Sequence, residues 1–225
     1  MTPMAAPESP KSATGPAARE PFRLDADEAD AIAELFNIGM GEPAAALSAM
    51  LGEEVHLSVP SFAVSTRARI TSEVGGDLEG GDPDDVRPVC AVRGSFTGPF
   101  TGEALLIFPE RGTLALAGRL VPVDPAAEAP GEMEQDVLTE IGNIILNGCL
   151  ASLSNLIGGE IVGAVPGYGA GAPAAVIGSA TDPVLFVRID MALAAGDARG
   201  HALFLMDIAS LDAFREAIRR AMAGL

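Results

Sequence analysis

The stretch Asp30–Pro60, DAIAELFNIGMGEPAAALSAMLGEEVHLSVP, is written a second time at Asp136–Pro166 as DVLTEIGNIILNGCLASLSNLIGGEIVGAVP. Each copy has Asp, then Glu four residues on, then Asn three residues after that. Pro60 lies 23 residues beyond Asn37, and Pro166 lies 23 beyond Asn143. Leu47, Ser48 and Gly52 match Leu153, Ser154 and Gly158 at the same offset of 106. A helix turns by about 100° per residue, so Asp30, Glu34 and Asn37 fall in a sector of about 60°. Ile32, Leu35 and Phe36 fall opposite. The same wheel sets Asp136, Glu140 and Asn143 against Leu138 and Ile141. One such helix is the ordinary polar face of a surface element. Two with identical spacing point to a shared task.

Composition narrows that task. Hydrophobic residues make up 48% and aromatics 4%, with no Trp, so the core is built from Ala, Val, Leu and Ile. The 14 basic and 31 acidic residues give a net charge of −17, which repels phosphate backbones and anionic lipid headgroups and excludes non-specific nucleic-acid or membrane binding. No apolar run reads as a membrane span, and no signal peptide opens the chain. Cys90 and Cys149 stand far apart and read as reduced thiols, which places the protein in the cytoplasm. His56 and His201 each sit alone in strand-like surroundings and read as structural; no metal-ligand spacing occurs.

In chain order, residues 1–21 are rich in Pro, Ala, Ser and Gly and read as a disordered tail. The rest, 22–225, divides into half one (22–121), a linker (122–131) and half two (132–225). Helix one starts near Asp25–Asp27, and Pro43 predicts a kink or restart around Gly39–Pro43. Val55–Val59 and Phe62–Ile70 read as strands, and Gly75–Asp85 as a polar loop without EF-hand spacing. Pro88–Phe96 and Thr101–Phe108 form a hairpin, followed by a helix at Glu110–Leu120. In half two, helix 132–156 precedes a strand at Ile161–Val165. Gly167–Pro173 reads as a Gly-rich loop without the Lys and Ser/Thr of a phosphate-binding loop. Strands follow at Ala174–Ala180, Val184–Leu193 and His201–Ile208, then a last helix to Met222. A second internal match links the segment from Gly102 to that from Gly200, at an offset of 98. The expected fold is α/β and internally duplicated, with pseudo-two-fold symmetry. A mostly antiparallel sheet packs against helices on one side, and the two motif helices lie outside, exposed.

The chemistry open to these residues is limited. Neither copy holds a Ser, Cys or His nucleophile paired with a base. An Asn amide can hold a water through its oxygen and donate from its nitrogen. A Glu can accept a proton or pair with a cation. Such a ridge can complete a site whose metal and reacting phosphoryl group belong to another protein.

The doubled E-x-x-N helix with its distal Pro resembles the CheC/CheX/FliY family of chemotaxis phosphatases. FNIGMGEPAAALSAMLG is similar to the family's first helix and TEIGNIILNGCLASLSNLIG to its second, and the likeness runs from about Asp25 to the C-terminus. The resemblance implies hydrolysis of the aspartyl phosphate of a CheY-type response regulator. Asn37 and Asn143 would orient the attacking water, Glu34 and Glu140 would pair with the receiver's Lys, and Asp30 and Asp136 would help dock. It implies no cofactor bound by this chain, the Mg²⁺ being supplied by the regulator. Two motif copies, with no switch-type domain after residue 225, set the expectation nearest to CheC. The alternative is a non-catalytic binding or adaptor module for the phosphorylated regulator or for a CheD-like deamidase.

Overall fold

The computed structural model describes residues 26–79, 87–196, 198–207 and 211–223; the expected tail at 1–21 lies outside them. Half one runs α1 (Ala26–Leu51), β1 (Val55–Leu57), β2 (Ser61–Thr66), α2 (Arg67–Glu79), β3 (Val89–Thr97), β4 (Gly102–Pro109), α3 (Glu110–Ala117). Half two runs α4 (Glu132–Ile157), β5 (Val162–Gly163), β6 (Gly167–Gly171), α5 (Pro173–Ile177), β7 (Pro183–Leu193), β8 (Arg199–Asp207), α6 (Leu211–Ala223). The order of helices and strands is the same in both.

The strands form an antiparallel sheet in the order β1-β7-β8-β4-β3-β5, with β2 also on β7 and β6 also on β3. Exchanging the labels of the two halves returns the same order. The registers agree as well. Phe62 pairs with Val187 as Tyr168 pairs with Val92, and Leu57 with Met191 as Gly163 with Phe96. At the centre, Leu105 of β4 pairs with Leu203 of β8, its own counterpart at the offset of 98. The two-fold relation of the topology therefore passes between these two fully buried leucines.

Helices cover both faces of the sheet, which corrects the one-sided expectation. Successive strand residues point to opposite faces. Ala104, Leu106 and Phe108 of β4 enter the core shared with α1, α3, α4 and α6. Leu105 and Ile107 enter a second core with Ile70, Val74 and Ile177 of α2 and α5. A strand covered on both sides reads as an unbroken apolar run, as ALLIF at 104–108 does.

Three assignments change in the structure. Phe62–Ile70 is a strand only to Thr66; from Arg67 the chain is helical through Glu79, because Ile70 and Val74, four apart, bury one helical face. Gly167–Gly171 is a strand and not a loop, since its backbone pairs with Val89–Arg93 despite its glycines. Ala174–Ala180 is not a strand: Pro173 opens the short helix α5, where a missing N–H costs nothing. His56 is exposed near Glu54, whereas His201 is buried and bonded to Asp190 at 2.8 Å. Contrary to the expectation, Glu132–Asn155 is long and apolar enough to cross a membrane, but half of its apolar window is buried in this fold.

Candidate functional site

Helix α4 is anchored at both ends. Glu132 and Glu134 sit in its first turn, where the partial positive charge of the free N–H groups favours carboxylates. At its end Gly158 adopts φ 62°, a left-handed cap that a residue with Cβ disfavours. The Ser154 hydroxyl then accepts the backbone N–H of Ile161 at 2.9 Å, tying the helix to the chain leading into β5. The first half repeats this: Gly52 has φ 67°, and the Ser48 hydroxyl accepts the N–H of Val55 at 3.0 Å.

The inward stripe of α4 is Leu138, Ile141, Ile145, Cys149 and Leu153, all buried at helical spacing. Gly142 also faces in. A Cβ there would stand 2.6 Å from Val92 Cβ, so only glycine lets α4 lie this close to β3. The opposite ridge carries Asp136 and Glu140, both exposed, and Asn143, half-buried. The three predicted residues of half two thus share one accessible ridge. The next turn adds a fourth member that sequence reasoning missed: exposed Asn147 donates from Nδ2 to Asn143 Oδ1 at 2.7 Å. The signal was an amide four residues after Asn143, but it has no partner in half one, where Gly41 stands at the matching place.

In half one, α1 runs unbroken from Ala26 to Leu51 with Pro43 inside, so the predicted restart does not occur. Glu34 is exposed. Asp30 and Asn37 belong to the same helix at the same spacing, and their side chains lie outside the described residues. The two motif helices pack on each other where Pro43 meets Gly148 and where Ser152 Oγ lies 3.8 Å from Met40 Sδ. Moving from Pro43 to Met40 on one helix goes with moving from 148 to 152 on the other, so they run antiparallel. Residues 30–37 and 136–143 therefore leave the crossing in opposite directions.

Beneath Asn147 lies a dimple of about 10 Å³ against Leu146, Leu150, Gly163 and Pro166. A cleft of about 510 Å³ lies by α2 and α5, where Glu103 bridges Arg67, at 2.6 Å, and Arg93. Burial raises the Glu103 pKa, but the hydrogen bonds and charges of the two arginines outweigh it and hold the carboxyl below its ordinary value. Both cysteines are free and buried. Burial pushes the Cys149 thiol up to about 12, and burial also raises that of Cys90, which accepts from Tyr168 Oη. Among the described residues no three His, Cys, Asp or Glu side chains converge as a metal site.

No protein-family model matches the chain. By sequence it is 27% identical over 136 residues to the flagellar motor switch phosphatase FliY of Bacillus subtilis, a match covering 60% of this chain and 33% of that one. The chain thus matches about a third of the length of that relative. By structure it superposes on FliY of Thermotoga maritima with a TM-score of 0.66 at 19% identity, covering 89% of this chain and all of that one. The FliM middle domain of H. pylori superposes with a TM-score of 0.56 at 11% identity, covering 86% and 99%. At these identities the superpositions establish the shared fold.

Proposed function

We propose that this chain is a member of the CheC/CheX/FliY family and that it hydrolyses the aspartyl phosphate of a CheY-type response regulator in the cytoplasm. The observation that carries this reading is the ridge of α4: exposed Glu140 and half-buried Asn143 on one accessible face, with Asn143 bonded to Asn147. Such a ridge can catalyse without a covalent step, because positioning and charge stabilisation supply most of the acceleration in phosphoryl transfer. The receiver brings the phosphoaspartate, Mg²⁺ and a Lys. Glu140 pairs with that Lys and docks the ridge; Asp136 flanks the contact. Asn143 enters beside the phosphorus and holds a water in line. The water oxygen bonds to phosphorus, the bond from phosphorus to the aspartyl oxygen breaks, and inorganic phosphate leaves with the water's proton passed to solvent. Glu34, Asn37 and Asp30 have the same parts in half one.

The test is to mix the protein with a phosphorylated receiver domain and Mg²⁺ and follow phosphate release. Release faster than the receiver's own is expected. Its absence, with binding intact, favours the second reading, a docking module for the phosphorylated regulator.

A further inference from the structure

We infer that Asn147 is a positioning residue for Asn143, locking its carboxamide in the one orientation that water activation uses. The inference rests on the phosphatase reading and refines it. An exposed Asn samples several rotamers, and its amide can face either way. Here Asn147, one turn further along α4, donates from Nδ2 to Asn143 Oδ1 at 2.7 Å. The oxygen and nitrogen of an amide leave Cγ on opposite sides. With Oδ1 drawn toward Asn147, the Asn143 NH₂ group points away from it, free to donate to an incoming phosphoryl oxygen. A second lone pair on Oδ1 remains to accept from water.

Asn147 lies beside the edge strand β5. Its Oδ1 would stand 3.0 Å from a Cβ on Gly163 of β5, and that Cβ would also meet Leu150 Cδ1 at 3.0 Å. The glycine leaves room for the amide. At the matching place in half one stands Gly41, which has no side chain, and open space surrounds it.

The test uses the full chain carrying Asn37→Ala, so that only the second ridge is read, with a phosphorylated receiver and Mg²⁺ as substrate. Asn147→Ala is expected to lower kcat by about tenfold to 10²-fold, the scale of a small misplacement of a reacting group, with KM unchanged. Asn147→Asp keeps the shape but replaces the donor by an acceptor, and is expected to fall at least as far. In the NMR spectrum the Asn143 side-chain NH₂ signals are expected to move in both variants toward those of a free amide. An unchanged kcat in Asn147→Ala, with the parent active, overturns the inference. If neither the parent nor the unmodified chain releases phosphate, the phosphatase reading falls instead, and the NMR arm decides: Asn143 signals indifferent to Asn147→Ala overturn the positioning contact.

Discussion

The ring of Pro43 occupies the space that a side chain on Gly148 would need: a Cβ on Gly148 would stand 2.6 Å from Pro43 Cβ. The proline that weakens α1 locally is thus the residue on which α4 rests. Gly148→Ala gains about 1 kcal/mol of helix propensity but overpacks this crossing at about 1–3 kcal/mol. A net loss of up to about 2 kcal/mol is expected by urea denaturation, shrinking in a Pro43→Ala background, because the two residues share one contact. Equal losses in both backgrounds would contradict the contact.

Gly142 stands next to Asn143 and sets how closely α4 lies on Val92. Gly142→Ala should lift the helix from β3 and displace the ridge, lowering both stability and phosphate release. Adding Val92→Ala should restore part of each. Recovery of stability without recovery of rate would show that helix height is not what aligns the amide.

The two ridges should not be equal. Asn143 is braced by Asn147, whereas Gly41 stands at the matching place beyond Asn37. Asn143→Ala is therefore expected to cost more activity than Asn37→Ala. The double variant should lose on the order of 10²-fold or more while still binding the phosphorylated receiver. Single-variant rates in the reverse order would refute the ranking; normal hydrolysis by the double variant would refute the assignment of both amides.

Glu103 makes the fold sensitive to acid. Burial alone would raise its pKa, yet Arg93 and Arg67 hold it below the ordinary carboxylate value. In the unfolded chain a Glu titrates near about 4.3. The folded form therefore binds its proton at lower pH than the unfolded form, and the stabilisation is fully present above that value. It is lost as pH falls from there through the depressed folded pKa. Thermal unfolding of Glu103→Gln across that range should show a lower Tm at neutral pH and a shallower fall on the acid side. A parallel pair of curves would exclude the linkage.

Much of this protein was legible in its residues. The two amphipathic helices follow from apolar spacing of 3.6, and the β3–β4 hairpin and strands β7 and β8 from apolar stretches bounded by turn residues. The Ser48/Ser154 and Gly52/Gly158 matches mark helix ends that share the same hydrogen bonds. Local periodicity survives in one dimension because each residue is judged against neighbours a turn or two away. What lies across the fold does not. Gly167–Gly171 has the composition of a loop and becomes a strand only because Val89–Arg93 offers it a ladder. Arg67–Glu79 and Pro173–Ile177 become the cover of a second face only once ALLIF is seen to be buried on both sides. The pairing of Leu105 with Leu203, the seating of Pro43 on Gly148 and the fit of Asn147 against Gly163 are matters of tertiary structure. Such contacts depend on the shape left by everything else in the core, and close packing between distant residues has no signature in their separate neighbourhoods.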